Sequence, residues 1–313
     1  MAASQSQKSH PMKQEPGSEK ERVKRIAQSV ISLPTLPTVV AKIVDVVQDP
    51  GTTAQALAKI IASDQVLTAK VLKLANSSYY GFPRKIGTVN LAVVLLGYQT
   101  VRDIALSVSV IEQFSEQEDD LSFDYSRFWE HSIATGVACQ LFAREFQYQV
   151  AGEAFVAGLI HDIGKLILNQ YMKQEFRAIL RKANEESMLF HQAEEELLGV
   201  HHGRVGAWTV ERWNLPKNIV EALAFHHSPS GAVRSPQLAH LVHFCDLLVR
   251  KGGYGYSGDA GVPEMDPATA EVLGLLCDKD GRPMLGCYID MLHSEMERAE
   301  TLVDLVRSPE VAA

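Results

Sequence analysis

The stretch that decides the fold of this chain is Phe155 to Leu168, FVAGLIHDIGKLIL. Its apolar residues recur at intervals of three and four, the spacing that places side chains on one face of a helix. That face would carry Val156, Leu159, Ile160, Ile163 and Ile167. His161, Asp162 and Lys165 fall on the other face. We therefore expect one helix with a packing face and a second face that carries chemistry.

Helical spacing of apolar residues extends along most of the chain, whereas the alternation typical of strands is scarce. The repeating positions are Val40, Ile43, Val44 and Val47, then Ala54, Leu57, Ala58 and Ile61, then Leu67, Val71 and Leu74, then Val101, Ile104, Ala105 and Val108. A last helix is predicted over residues 289–306. The sequence therefore predicts an all-α fold.

An acidic, polar segment at residues 113–124 is typical of a connection between two packed helical bundles. A Gly- and Pro-rich stretch after Arg250 predicts a loop. These signals divide the chain into a disordered segment at 1–22, an N-terminal bundle at 23–115, a second bundle at 123–251, and a loop with a C-terminal helix at 252–313.

The net charge and the lengths of the apolar runs indicate which classes of binding partner to expect. Among 313 residues, 46% are apolar and the net charge is −8, so the general field repels phosphate backbones and we expect no nucleic-acid partner. The longest apolar run, residues 91–97, is far shorter than the ~20 residues that span a bilayer. The polar start has no apolar core of a secretory signal. We expect no membrane association, a cytoplasmic location and four free cysteines.

The His161–Asp162 pair offers an imidazole nitrogen and a carboxylate oxygen, the mixed donor set that suits Fe, Mn or Zn. An HD dipeptide arises often by chance, so the pair alone is weak evidence. Further candidates follow at intervals that let several helices each contribute inward ligands: His131, His202, His226, His227 and Asp246. Lys165 would either bind a phosphate oxygen or pair with a ligand carboxylate, and both interpretations stay open.

Several blocks of the sequence resemble a known superfamily. GLIHDIGKL, with RFWEHS before it and HHGRVGAW, LAFHHSP and HFCDLL after it, resembles the HD metal-dependent phosphohydrolases. The blocks LPTLPTVV, ANSSYYG and WNLP resemble more specifically the HDOD family, HD-related output domains of bacterial signalling proteins. The resemblance covers about residues 31–250.

This resemblance implies that the second bundle is an HD-type helical domain with an inward-facing metal site. The implied metal ligands are His131, His161, Asp162, His202, His226, His227 and Asp246. The implied cofactor is a divalent transition metal, one or two ions, with Fe or Mn first and Zn as the alternative. Many HDOD members have lost several ligands and are thought to act without catalysis, whereas here the set is complete.

The cyclic di-GMP phosphodiesterases of the HD-GYP type are also similar, because they share HDIGK and the paired histidines. Here the pair is followed by Ser228, Pro229 and Ser230, so the GYP loop is missing. Hydrolysis of cyclic di-GMP is therefore disfavoured.

Two functions remain open. In the first, the chain is a metal-binding HDOD signalling output protein that contacts an unidentified signalling protein through the surface around residues 76–97. In the second, it is a metal-dependent phosphohydrolase that takes a phosphorylated or nucleotide ligand, a phosphomonoester or a phosphodiester, at a dinuclear centre. The catalytic residues would then be Asp162, which bridges the metals, and Lys165, which offsets transition-state charge. The resemblance favours the first function.

Overall fold

The structure is a computed structural model and describes residue 26 and residues 41–43, 53–115, 123–148, 151–259 and 261–307. The helices with assigned limits in these ranges are α1 (Ala54–Ala62), α2 (Gln65–Ala75), α3 (Val89–Leu96), α4 (Tyr98–Ser115), α5 (Tyr125–Glu145), α6 (Ala151–Ile160), α7 (Ile163–Tyr171), α8 (Lys173–Glu186), α9 (Phe190–Leu198), α10 (His202–Arg212), α11 (Lys217–Phe225), α12 (Pro236–Lys251), α13 (Thr269–Leu273), α14 (Leu285–Arg298) and α15 (Glu300–Arg307).

The helices pack as two bundles, which confirms the all-α prediction. Helices α1 to α4 form the first bundle and α5 to α12 the second, with α4 packed on α6 where the two meet. Helices α14 and α15 return to pack against α5. Within the described ranges there is no strand, only an isolated bridge between Cys277 and Pro283.

Several smaller predictions can be compared with the structure. All four cysteines carry free thiols, as expected. Among the described residues no helix combines the length and the apolar character that crossing a membrane requires. Ile43 is helical and fully buried. The predicted disorder of 1–22, and the positions Val40, Val44 and Val47, lie outside the described residues.

The prediction of one continuous helix through residues 155–168 is wrong. Helix α6 ends at Ile160, α7 begins at Ile163, and a turn containing His161 and Asp162 separates them. Residues 154–169 are all buried, so both the apolar side chains and the polar ones face the protein interior; Lys165 has no exposed surface. A continuous helix would point neighbouring side chains ~100° apart, whereas the turn directs His161 and Asp162 into the same interior region.

Gly164 allows α7 to contact the backbone of α10. A Cβ atom at Gly164 would lie 2.0 Å from the carbonyl oxygen of His202 and 2.9 Å from the nitrogen of Gly206. Both are main-chain atoms and cannot swing away as a flexible side chain would. The close approach brings His202, the first residue of α10, next to the turn at His161 and Asp162.

A Gly164→Ala change should therefore destabilise the fold by about 1–3 kcal/mol or more, since α7 and α10 must separate to admit the methyl group. Gly286→Ala in α14 is the matched control, because no atom lies within 4 Å of a Cβ built there. Urea unfolding with chelator present measures both changes. Equal effects of the two substitutions would contradict the close contact.

The C-terminal helix predicted over 289–306 is interrupted. Helix α14 ends at Arg298 and α15 begins at Glu300, with Ala299 between them at φ −87 and ψ 5. Ala299 is fully buried, and its N–H still donates to the carbonyl oxygen of Glu295 at 3.0 Å. Leu302 and Val303 continue the buried face of α14, because they follow Met296 and Ala299 at intervals of three and four residues.

The first bundle contains a buried carboxylate, Asp103 in α4, that is only partly paired. Its Oδ1 accepts from Arg102 Nε at 2.6 Å, but its Oδ2 has no hydrogen-bond partner. Burial raises the pKa of Asp103 to about 7, and the neighbouring Arg102 opposes that shift only in part. The folded protein therefore binds a proton here at pH values where the unfolded chain, with an Asp pKa of about 3.9, does not.

Because the folded state holds the extra proton, the contribution of Asp103 to stability is present below about pH 4 and lost as the pH rises to about 7. The free energy of unfolding of Asp103→Asn, relative to the unmodified chain, should rise over the same interval. Urea titrations at several pH values, with chelator throughout, measure this difference. Asp290→Asn, at an exposed position of α14, is the charge-matched control. A stability difference between Asp103→Asn and the unmodified chain that does not change with pH would refute the assignment.

Candidate metal centre

The turn between α6 and α7 presents His161 and Asp162 to the interior of the second bundle, and both are fully buried. The Nδ1 of His161 lies 2.7 Å from the carbonyl oxygen of Gly158 and donates to it, which fixes the ring and leaves Nε2 as a free donor atom for a metal. The carboxylate of Asp162 makes no helix-cap hydrogen bond, although it occupies the cap position of α7. Both side chains are thus available to a site rather than used by the helix ends.

Three candidate ligands form one group on the α5 side of this turn. His131 of α5 and Asp246 of α12 meet with Nε2 and Oδ1 3.0 Å apart, and His161 Nε2 lies 3.6 Å from the same oxygen. All three ligand atoms lie within 4.8 Å of one another. Residues from three separate elements are therefore close enough to share one ion.

Four candidate ligands form a second group on the α10 side. Asp162 Oδ1 lies 2.8 Å from His202 Nε2 and 3.7 Å from His226 Nε2. His227 Nε2 completes the group at 2.8 Å from His202 Nε2. The other oxygen of Asp162 lies 3.5 Å from His161 Nε2. Asp162 therefore stands between the two groups, with one oxygen toward each.

The chemistry of these atoms fits a cation. The buried Nε2 atoms of His161 and His226 have no hydrogen-bond partner. His131 Nε2 and Asp162 Oδ1 face only other candidate ligands, Asp246 Oδ1 at 3.0 Å and His202 Nε2 at 2.8 Å. Leaving buried polar atoms unpaired costs free energy, which a bound cation would recover. Ligands that bind a metal at ~2.0–2.2 Å stand roughly 3 Å apart from each other, similar to the separations found here. All seven predicted ligands lie in one of the two groups.

The charges around Asp162 and Asp246 keep both carboxylates ionised. Burial alone favours the neutral acid, but His161, Lys165 and His202 hold the pKa of Asp162 well below its usual range. For Asp246, burial is likewise opposed, first by Arg250 and then by His131 and His161. Ionised carboxylates are the form that binds a metal.

The imidazoles on the α10 side are held neutral. Burial holds the pKa values of His202 and His226 well below their usual range, and the neighbouring Lys165 and His161 add to the respective shifts. The pKa of His227 is lowered in the same way by burial and by His226. His161 differs: burial lowers its pKa, but Asp162 and Asp246 together raise it above the ordinary value.

Lys165 pairs with carboxylates and is fully buried. Its ammonium lies 2.9 Å from Asp162 Oδ2, 2.9 Å from the Ser257 carbonyl oxygen and 3.4 Å from Asp259 Oδ2. An ammonium has three N–H donors, and three acceptors surround this one. The interpretation of Lys165 as a partner of a ligand carboxylate therefore has a geometric basis that direct phosphate contact lacks.

Three further residues support the site and were missed by the sequence analysis. Arg250 Nε donates to Asp246 Oδ1 at 2.8 Å, and a search for opposite charges four residues apart on one helix could have found it. Asp259 pairs with Arg250 from a loop, and Glu194 of α9 pairs with His202. No sequence signal distinguishes these last two carboxylates from solvated ones.

Access to the centre from solvent is narrow. Six of the seven candidate ligands are at most 2% exposed, and only His227 is partly exposed. The ring of His227 stacks on His191, with centroids 4.0 Å apart and planes at 17°. His243 of α12 lies behind the site and contacts the carbonyl oxygen of His226 through Nδ1 at 2.7 Å.

Glu194 orients His202. Its Oε2 accepts from the backbone N–H of His202 at 2.9 Å and from its Nδ1 at 2.6 Å, so Nε2 points toward Asp162. Burial raises the pKa of Glu194 well above its ordinary range, and the bond from the His202 N–H opposes the shift. Such carboxylate–imidazole pairs fix the ring of a metal-binding histidine.

Removing the acceptor oxygen of Glu194 should destabilise the protein even without metal. Glu194→Met keeps much of the side-chain volume but leaves two buried donors unpaired, at a cost of about 1–3 kcal/mol for each. Glu194→Gln retains an oxygen and should lose less. Denaturant unfolding in chelator ranks the two variants, and a Gln variant as unstable as the Met variant would show that the acceptor is unimportant.

Comparison with known proteins places the chain in a family. The sequence model of the HDOD domain matches residues 33–229, and the chain belongs to the HDOD family. Candidate ligand Asp246 and the supporting residues Arg250 and Asp259 lie beyond the matched range.

Solved structures of related proteins share the fold. An HDOD domain protein of unknown function from Geobacter sulfurreducens is 26% identical, with a TM-score of 0.76 over 92% of this chain and 98% of that one. A candidate phosphohydrolase from Shewanella amazonensis SB2B is also 26% identical, with a TM-score of 0.69 over 88% of this chain and 97% of that one.

An uncharacterized protein of Treponema pallidum (strain Nichols) is a more distant relative. It is 22% identical over 227 residues, which make up 72% of this chain and 44% of that protein. The match thus spans less than half the length of this curated relative.

Proposed function

We propose that this protein is a metal-binding regulatory member of the HDOD family that acts through contact with a signalling protein. The observation that carries the metal-binding part is the convergence of seven buried or half-buried ligand atoms into two groups, in which His161 Nε2 and His226 Nε2 have no hydrogen-bond partner. A divalent transition metal, with Fe or Mn first and Zn as the alternative, suits this mixture of imidazole and carboxylate. His131, His161 and Asp246 would hold one ion and Asp162, His202, His226 and His227 a second.

The regulatory part rests on how closed the centre is. The candidate ligands other than His227 are almost entirely buried, which favours an ion that stabilises a conformation over one that turns over substrate. The first bundle supplies a contact surface, because α3 exposes Leu91, Val94 and Leu95, at 40%, 76% and 43% of their surface. Exposed apolar side chains clustered on one short helix are typical of protein contact sites. They lie within the recognition surface predicted at residues 76–97.

Phosphoester hydrolysis is the second candidate, favoured by the position of Asp162 between two complete ligand groups. A divalent ion held there would polarise a phosphoryl oxygen and activate water. In this case Asp162 contacts both groups, and Lys165 acts by holding the Asp162 carboxylate in place, because its own donors already face three acceptors. A phosphorylated or nucleotide ligand would enter past His227.

Asp162→Asn should abolish or greatly reduce metal binding. The substitution replaces the carboxylate that faces both ligand groups with a neutral amide. Elemental analysis of protein purified without chelator is the measurement. We expect at least one Mn, Fe or Zn ion per unmodified chain and a large loss in Asp162→Asn. His240→Gln is the matched control: His240 is a buried histidine whose Nδ1 contacts Thr269 rather than either ligand group.

A phosphodiester and phosphomonoester assay on the same metal-loaded proteins separates the two functions. The regulatory proposal expects no turnover in the unmodified chain despite full metal loading. Turnover that disappears in Asp162→Asn and persists in His240→Gln would establish the second function instead. An unmodified chain that retains no transition metal under any loading condition would exclude both.

A further inference from the structure

The loop at residues 252–259, which follows α12, is hydrogen-bonded to α5, the helix that carries His131. The N–H of Tyr256 donates to the carbonyl oxygen of Arg127 at 2.9 Å, and Arg127 Nη2 donates back to the carbonyl oxygen of Gly255 at 3.1 Å. Gly255 has a φ of +66, and a Cβ atom there would lie 2.3 Å from the nitrogen of His131. Only glycine permits so close an approach in this conformation.

Asp259 follows in the same loop, and its carboxylate contacts residues of three helices. Its Oδ2 lies 2.8 Å from Arg250 Nη1 of α12 and 3.4 Å from Lys165 Nζ of α7. Its Oδ1 accepts from the backbone N–H of Phe190, the first residue of α9, at 2.5 Å. The side chain is 1% exposed. Although burial favours the neutral acid, Arg250 and Lys165 hold the pKa of Asp259 below its usual value, so it is ionised.

Each of the two cations that Asp259 contacts also reaches a candidate metal ligand. Lys165 lies 2.9 Å from Asp162 Oδ2, and Arg250 Nε lies 2.8 Å from Asp246 Oδ1. Two buried cations and three buried carboxylates therefore form one network, which carries one net negative charge when the imidazoles are neutral, the form in which they bind a metal. Without Asp259 the two cations would be balanced by Asp162 and Asp246 alone, and the network would carry no net charge to attract a metal.

We propose that Asp259 is a positioning residue that sets the cation affinity of the centre by sharing Lys165 and Arg250 with the two ligand carboxylates. The inference rests on the proposed metal centre and adds to it a residue outside the range matched to the family. Charges act strongly here because the network is buried and poorly screened. Asp259 needs no contact with the ion to change how tightly the ion binds.

The test compares the Mn²⁺ affinity of two variants that alter the network in opposite directions. Asp259→Asn removes a negative charge and should weaken Mn²⁺ binding by about 10–100-fold, the range for residues that support metal ligands. Lys165→Met removes a positive charge beside Asp162 and should tighten Mn²⁺ binding by about tenfold. A loop that is only a structural support predicts weaker binding in both variants, because both lose buried ion pairs.

The measurement is competition between the full chain, stripped of metal, and a fluorescent chelator for Mn²⁺. Asp304→Asn, an exposed position on α15, is the charge-matched control and should leave the affinity unchanged. Circular dichroism in chelator establishes that each variant folds. If Asp259→Asn does not fold, Lys165→Met still decides, since weaker or unchanged Mn²⁺ binding in that variant overturns the charge argument.

The experiment distinguishes a failure of the proposed role of Asp259 from a failure of the proposed metal centre. If the unmodified chain binds Mn²⁺ and Asp259→Asn binds it equally well, the role of Asp259 is refuted while the metal centre stands. If the unmodified chain binds no divalent transition metal, the proposed centre itself is refuted, and the role of Asp259 with it.

Discussion

The fold is organised around an ionised carboxylate, that of Asp162, which is wholly removed from water. An isolated buried charge is among the most unfavourable groups a protein core can hold, so the surrounding chain must supply compensating partners. Lys165 does so from the first turn of α7, with its ammonium 2.9 Å from Asp162 Oδ2. The close packing of α7 on α10 at Gly164 places the neutral His202 ring beside the same carboxylate, with Nε2 2.8 Å from Asp162 Oδ1, where the two atoms could share a cation.

The same constraint bears on both of the functions proposed above. A cation bound beside Asp162 would change the balance of charge in the core, and the helices packed around it would carry any resulting movement outward. Helix α6 leads into the HD turn and packs on α4 of the first bundle. A change at the centre therefore has a direct mechanical route to the exposed side chains of the first bundle, with or without chemistry on a substrate.

The fold class could be predicted because it depends on a local signal, the helical spacing of apolar residues. The seven candidate ligands came from the resemblance to the HD superfamily; the structure brings their atoms into two groups, and metal binding by them stays a prediction. The break in the helix between Ile160 and Ile163 could not be predicted, because the apolar spacing continues through it unchanged. The turn there accompanies contacts with helices distant in sequence. Arg250 could have been predicted, because it lies four residues after Asp246 and carries the opposite charge. Asp259 and Glu194 could not be predicted from the sequence, because their burial depends on contacts with other parts of the chain.

The stacked rings of His191 and His227 have a consequence for the exchange of ions with solvent. Since the other candidate ligands are closed off, an ion bound by them would enter or leave only after these rings part or a helix shifts. The candidate ligands are spread from α5 to α12, so they would surround an ion only once these helices have assembled. Occupancy would then record the metal available while the chain was folding, and it would follow later changes in metal supply slowly.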